Sequence, residues 1–572
     1  MSKAVFVTTR IGAPVKFDGR HITALSARLT PDNIKPVPPT VIEGDGILLG
    51  IINPTDSLRI QGCSVCMGTL FGYSPDWWRP ESDAPDGSYA LFRGGEKTVE
   101  LLTDILASRT IWYVKTDDLF IAATSQRAIV YFLQSYQPNE TAYPWMLSSG
   151  TLGPELSWDK RIRCLPGDAR LILDRESWEL KLDRAPVAFR ADNSSKNEHE
   201  QRLRDSIQNT FDGLDLDFDR WVLPLSGGYD SRAILQMLKD RPGLKTVTWG
   251  VKAALSDENG DACVARDLAS HYRVPHQYFY TDLSDENVEY LFTRFLVAGE
   301  GRIDHISGYM DGFAIWKALY ERGYQGIIRG DEAFGCRAIR SDRQVYKNMG
   351  MQVLSDFENV GMLQEECGAG IQVWPRSIER QPDESRETWR DRANTLFEFP
   401  FVFAALSDLK LSYVEISAPL LSRKIITQVR CMPDSLRTNK SLFKHMVTQN
   451  GPGIRYATGA AIESRDDILR SDTVASAIRN GLRQERAGSK RIDILSRFAL
   501  ELLANETALP GRLSINKGER IIRRIRAMLS IRSQGMLLDP YLLAFRVYII
   551  RRMHEILDSD ASAFSMTALG DQ

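Results

Sequence analysis

Residues 221–240 read WVLPLSGGYDSRAILQMLKD. An apolar run, 221–225, meets a glycine-rich turn, and 231–240 then follows with the spacing of an amphipathic helix. Gly227 and Gly228 let the backbone come close to an anion. The successive N–H groups after a strand and the positive end of the following helix favour phosphate. Ser226 and Ser231 add hydroxyl donors, and Asp230 adds a carboxylate that can hold Mg²⁺ beside phosphate oxygens. The G-x-x-x-x-G-K-[ST] pattern is absent, so this is no Walker A loop. A lone Ser-Gly-Gly also fits an ordinary strand-to-helix turn. The full S-G-G-x-D-S string behind a buried strand is what carries the phosphate reading.

Working outward, the alternation continues. TVTWGV (246–251) precedes a helix carrying Ala262, Ala265, Leu268, Ala269 and Tyr272, then come HQYFY (276–280) and GIIRG (326–330). Strands alternating with helices predict βαβ units and a parallel sheet. From about Asn394 the chain reads as mainly helical. Upstream, Val5 to about Leu182 reads as short strands, among them GILLGIIN (46–53), TIWYV (110–114), LFIAAT (119–124) and ARLILD (169–174), with a helix near Ser125–Gln134. The polar stretch FRADNSSKNEHE (189–200) reads as a linker before a helix marked by Leu203, Ile207 and Phe211. The expected division is 1–188, a linker 189–200, and 201–572.

Composition sets the outer limits. A chain of 572 residues is too long for one core. Lys plus Arg is 72 against 74 Asp plus Glu, which argues against a general nucleic-acid coat. No apolar run reaches membrane-spanning length, the start MSKAVFVTTR lacks a signal-peptide core, and seven cysteines make no disulfide framework. Those features predict a cytoplasmic protein.

SGGYDS (226–231) resembles the pyrophosphate loop of N-type ATP pyrophosphatases. Further residues narrow the likeness to the asparagine synthetase family: Asp261 and Ala265 at D-x-x-x-A spacing, Gly330-Asp-Glu-Ala-Phe-Gly335, Glu415-Ile-Ser-Ala-Pro-Leu-Leu421, and Arg437 before Ser441-Leu-Phe-Lys444. The likeness runs to about residue 450. More weakly, Asp86-Gly-Ser-Tyr-Ala90, Thr103-Asp-Ile105 and Leu165-Pro-Gly167 follow the order of that family's glutaminase domain.

The resemblance implies an α/β chain: an N-terminal α+β Ntn-hydrolase-like sandwich, then a parallel-sheet adenine-nucleotide α-hydrolase-like domain with a helical C-terminal part. It implies ATP and Mg²⁺ as cofactors, with Asp230 and Asp331 as metal ligands. Leu225, Ser226, Gly227, Gly228, Tyr229, Asp230, Ser231, Thr248, Gly250 and Gly330 would bind ATP and pyrophosphate, and Lys444 would meet the acyl-adenylate, with Lys440 close in sequence. The partners would be a carboxylate and an amine, small molecule or precursor peptide, with no nucleic acid. The sequence leaves oligomeric state open, a homodimer included.

Two departures matter. The family's glutaminase uses an N-terminal Cys; here position 2 is Ser2, a poorer nucleophile, which predicts no glutamine hydrolysis, as in β-lactam synthetases and lasso peptide cyclases. Three residues before Asp331, where the family has a proton-accepting residue, stands Ile328, so the base role must move; Glu415 is the candidate, and a structural carboxylate paired with an arginine is the plain alternative. The expected function is an AMP-forming amide ligase, with a glutamine-dependent amidotransferase and a non-catalytic regulator as rivals.

Other features are read more plainly. Cys63-Ser-Val-Cys66 is expected to be two core thiols. Gly299–His305 could line a substrate pocket or cap a helix in a solvated loop. Lys517–Arg532 reads as a basic amphipathic helix, and YLLAFRVYII (541–550) as a buried helix.

Overall fold

The structure, a computed structural model, describes residues 2–13, 17–44, 46–366, 372–484, 489–508 and 536–569. The basic stretch Lys517–Arg532 lies outside them. Among the described residues three sheets form, two antiparallel and one parallel, with helices between and around them.

The strand Lys3–Thr9 shows how the first two sheets are built. Its seven residues are all buried, and side chains alternate between faces. Phe6 points into the layer between the antiparallel sheets, where its ring stacks with Phe92 from the opposite sheet at 6.5 Å. Val5 and Val7 point the other way, into a core shared with helices Gly19–Leu29 and Gln126–Leu133. A strand covered on both faces needs apolar residues at every position, which KAVFVTT nearly supplies. The first sheet runs in the order 163–164, 112–115, 119–123, 3–9, 47–52, 40–44; the second runs 179–184, 169–174, 98–103, 87–94, 64–70, 59–61. The helix starts where Ser125 caps it: its hydroxyl accepts from the Ala128 N–H, and Glu300 accepts from the Gln126 N–H at 2.9 Å.

The parallel sheet runs 276–280, 245–250, 221–224, 326–328, 415–417. In chain order that is third, second, first, fourth, fifth. The order reverses beside the strand Trp221–Pro224, and such a switch point opens a crevice beyond the strand carboxyl ends. The Ser226–Ser231 turn leaves that strand at the switch point.

One correction concerns the linker. A helix, Lys196–Asp212, begins inside 189–200. Ser195 and Glu198 form a reciprocal capping box, the S-x-x-E signature, so the second half of the polar stretch is ordered by its own side chains. The first half is pinned through Arg190 N–H to Arg430 O and Asp192 N–H to Cys431 O, at 2.9 and 3.0 Å.

The C-terminal helix Pro540–Leu569 contains YLLAFRVYII and reaches back to the N-terminal layer. Phe564 packs edge-on to Tyr131 at 5.4 Å, and Asp560 is paired with both Arg127 and Arg28. Arg546 is buried in this helix and pairs with Asp304 at 2.7 Å. The core is therefore continuous across 1–188 and 201–572. No helix among the described residues is long and apolar enough to cross a membrane.

Candidate functional site

The turn after Trp221–Pro224 is braced from within. Ser231 Oγ accepts the Ser226 N–H at 3.0 Å and lies 3.1 Å from Ser226 Oγ. Asp261 Oδ1 accepts the Gly227 N–H at 2.9 Å, so the residue singled out by its spacing fixes the loop directly. Thr248 Oγ1 donates to the Leu225 carbonyl. A Cβ at Gly227 would stand 2.3 Å from the Ala457 Cβ, and one at Gly330 would stand 3.1 Å from Ser231 N. Both glycines are places where two backbones meet. Tyr229 faces the other way: it stacks on Tyr456 at 3.9 Å, and the Arg232 guanidinium lies 3.9 Å from the Tyr456 ring.

Beyond the strand ends charges converge. Lys440 Nζ bridges Asp230, at 3.0 Å, and Glu332, at 2.5 Å. Asp331 pairs with Arg329 at 2.7 Å. Burial pushes the Asp230 carboxyl upward against the pull of Lys440. Burial, the Asp230 charge and Lys440 together leave Glu332 at about 7. Lys440 loses by burial but gains more from Glu332 and Asp230, so its ammonium is held above its ordinary range. Asp230, Asp331 and Arg329 line the crevice, and Lys440 and Glu332 are tied to it through Asp230.

Lys444, the lysine expected to meet an acyl-adenylate, lies one turn further along the helix Ser441–Gln449, with Nζ 5.2 Å from the centroid of the Tyr229 ring. The structure brings Lys440, not Lys444, onto the carboxylates. Side chains four apart share a helix face, but Lys440 is at the helix start in a left-handed conformation, and that turn redirects it.

Glu415 is reassigned. It is 1% exposed; Oε2 accepts from Arg109 Nη2 at 2.6 Å and Oε1 from the Ser2 N–H at 3.2 Å. Burial alone would raise its carboxyl, but Arg109, then the amino-terminal charge, with a smaller part from the Ser2 N–H, outweigh that and bring it to about 2. A carboxylate so acidic is a poor proton acceptor near neutrality, and this one joins the N-terminal sheets to the last parallel strand. Its arginine comes from the N-terminal half. Ser2 is itself buried, its hydroxyl donating to the Asn53 carbonyl at 3.2 Å. Ile328 is fully buried at its strand's end, in the core beneath the loop.

The crevice has a volume of about 470 Å³. One side is formed by Leu225, Ser226, Thr248 and Trp249; the other by His305, Tyr309, Trp316, Arg329, Leu406 and Lys410. Gly250 has no room to spare, since a Cβ there would meet Ala461 O at 2.4 Å and Tyr278 Oη at 2.5 Å. The loop Gly299–His305 divides its labour: Glu300 caps the helix Gln126–Leu133, Arg302 pairs with Asp408 at 2.5 Å, Asp304 is buried between Arg465 and Arg546, and His305 alone lines the crevice. Arg329, Trp316, Tyr309 and Lys410 had no sequence signature; each comes from a separate element and only folding brings them together. Among the described residues no three His, Cys, Asp or Glu side chains form a metal-holding group. Cys66 is buried beside Arg59 and Arg109, and burial pushes its thiol to about 12, so it behaves as an inert core side chain.

No protein-family model matches the chain, and no curated protein matches it. Among solved structures, the allosteric regulatory enzyme of purine biosynthesis aligns at 10% identity over 70% of this chain and 95% of the other, with a TM-score of 0.22. Glutamine phosphoribosylpyrophosphate amidotransferase from B. subtilis, complexed with ADP and GMP, aligns at 11% identity over 75% of this chain and 92% of the other, with a TM-score of 0.19. Overlap at that level assigns neither fold nor function, so the functional reading stands on the chain's own geometry.

Proposed function

We propose that this chain is an ATP-dependent, AMP-forming amide ligase: it adenylates a carboxylate, releases pyrophosphate, and passes the acyl group to an amine. The observation that carries this reading is the Ser226–Ser231 turn at the switch point of a parallel sheet, with Asp230 and Asp331 lining one crevice and Lys440 paired to Asp230. In this reading the parallel-sheet half is adenine-nucleotide α-hydrolase-like, and the N-terminal sandwich is an Ntn-hydrolase-like domain without glutaminase activity. The interior contacts of Ser2 support the last point.

The residues present fit a magnesium–nucleotide complex. Mg²⁺ takes oxygen ligands and commonly one or two carboxylates plus substrate phosphates. Asp230 and Asp331 offer the carboxylates. The ion's chemistry there would be neutralisation of phosphate charge. The N–H groups of the turn would hold the departing pyrophosphate. The substrate carboxylate would attack the α-phosphorus from the side lined by Tyr309 and Trp316, and Lys440, already balanced between two carboxylates, would shift its charge toward the phosphoryl oxygens as charge builds there. Pro224–Ser226 and Thr248–Trp249 would border adenine.

The test is ATP–pyrophosphate exchange by the full chain across a panel of carboxylates. Carboxylate-dependent exchange supports the reading. Absence of exchange together with absence of ATP binding overturns it in favour of a regulator, and ammonia release from glutamine would restore the amidotransferase alternative.

A further inference from the structure

The ligase reading leaves one atom unaccounted for. When an amine attacks an acyl-adenylate, its nitrogen sheds a proton, and neither Ile328 nor Glu415 is able to receive it. An acceptor must reach the crevice and rest deprotonated.

Lys410 meets these conditions. It lies on the helix Ala404–Leu411, which continues without a break from a π-helical segment, Asn394–Phe403, a geometry that concentrates at functional sites. The side chain is 5% exposed yet lines the crevice with Arg329 and Asp331. Nζ donates to the Leu406 carbonyl at 2.7 Å. Among the described residues no carboxylate lies within ion-pair distance of it: Asp331 is turned to Arg329 and Asp408 to Arg302. Two rings flank it, Tyr309 at 5.5 Å and Trp316 at 5.7 Å from Nζ.

We propose that the Lys410 amine is the catalytic proton acceptor of the second half-reaction, a role that rests on the ligase reading. The nucleophile's nitrogen forms a bond to the acyl carbon, and the tetrahedral adduct collapses with the carbon–oxygen bond to AMP breaking. AMP departs with that electron pair, and the nitrogen's proton passes to Nζ. The ammonium so formed keeps the Leu406 carbonyl and gains the faces of both rings, which attract cations. It returns the proton to water when the crevice opens for product.

The electrostatics agree. Burial, and then the Arg329 charge, hold the Lys410 amine well below an ordinary lysine, with Asp331 opposing; the Tyr309 phenol, which burial pushes up, also faces it, and His305, which burial pushes down, lines the same crevice. A depressed acceptor is uncharged over more of the neutral range, so the rate of amide formation should rise with pH along a limb set below the ordinary lysine value.

Two measurements test this. The first is trace acetylation of the intact protein with acetic anhydride across pH, read peptide by peptide by mass spectrometry. Lys410 should label with a midpoint at least about one unit below the exposed lysines, whose ordinary value is about 10.4. A midpoint equal to theirs, or no labelling at any pH, overturns the proposal. The second compares wild type with Lys410→Met and Lys410→Arg on whichever carboxylate supports exchange. Amide formation with ammonium should fall by at least about 100-fold while exchange falls far less. Hydroxylamine, whose oxygen makes the N–H of the adduct more acidic, should be spared much of that loss. Equal losses in both half-reactions mean Lys410 acts on the fold or on ATP, and an unchanged amidation rate means that it does nothing; both overturn the role. A wild type that exchanges no pyrophosphate removes the ligase and this role together, whereas exchange with intact amidation in Lys410→Met removes Lys410 alone.

Discussion

Replacing Glu415 by Gln separates the two roles open to that residue. Its carboxylate accepts from two donors, Arg109 Nη2 and the Ser2 N–H, inside the protein. Gln is nearly isosteric but offers one oxygen and one NH₂ group. One of the two donors then faces another donor, and Arg109, whose Nη1 has no hydrogen-bond partner among the described residues, loses its counter-charge. The carboxyl sits at about 2 where an ordinary glutamate sits at 4.5. At about 1.4 kcal/mol per unit that gap corresponds to about 3 kcal/mol, in the range for breaking a buried ion pair. A folded-state pKa depressed below the unfolded one stabilises the protein above about 4.5, and the benefit is lost as pH falls toward about 2. Urea unfolding of the full chain at pH 7 should show Glu415→Gln destabilised by about 3 kcal/mol, with a shallower loss of stability in acid than wild type. Arg109→Met combined with Glu415→Gln should cost less than the sum of the single changes, because no lone buried charge is left. The reasoning is refuted if Glu415→Gln matches wild-type stability, and a stable variant that forms no amide would return the residue to the role of base.

Three other outcomes follow from the same geometry. Lys440→Met strips Asp230 and Glu332 of their shared cation and should lower ATP–pyrophosphate exchange by about 100-fold, whereas Lys444→Met loses only a ring contact worth about 0.5–1 kcal/mol and should change exchange less than about fivefold; equal effects would contradict the assignment. Gly335→Ala should destabilise the fold by about 2–3 kcal/mol in thermal or urea unfolding, because φ is +118° and the new Cβ would lie 2.2 Å from the Arg437 carbonyl oxygen. Arg437→Met should cost about 3–5 kcal/mol by the same measurement, since the buried guanidinium is shared by Asp391, Asp434 and the Thr388 hydroxyl.

What could be read before folding was what is local. HQYFY (276–280) and ARLILD (169–174) are strands with those bounds, because apolar, β-branched and aromatic residues there are bounded by turns. The helix after the Ser-Gly-Gly turn begins at Tyr229, two residues earlier than its apolar spacing shows, since Gly228 caps it in an extended conformation. The Ser195–Glu198 box stands in the sequence, inside a stretch whose polar composition also fits a linker. What could not be read was which distant charges would meet. Arg109 and Glu415 are 306 residues apart, and Asp230 and Lys440 are 210 apart. No periodicity encodes such pairs; they follow from the tertiary fold, in which 326–328 lies beside 221–224 and 415–417 beside 326–328. Lys410 was invisible for a related reason: a lysine in a helix is ordinarily a solvated side chain, and only the closing of Tyr309 and Trp316 around it makes it unusual.

The central claim is that the turn after Trp221–Pro224 grips the phosphates of a metal-bound nucleotide. A crystal structure of the full chain grown with Mn²⁺ and a non-hydrolysable α,β-methylene ATP analogue tests it most directly. The account predicts phosphate oxygens on the N–H groups of 227–231 and an anomalous metal peak between Asp230 and Asp331, with Lys440 released from at least one of its carboxylates. A nucleotide bound anywhere else, or a metal peak away from both aspartates, would contradict it.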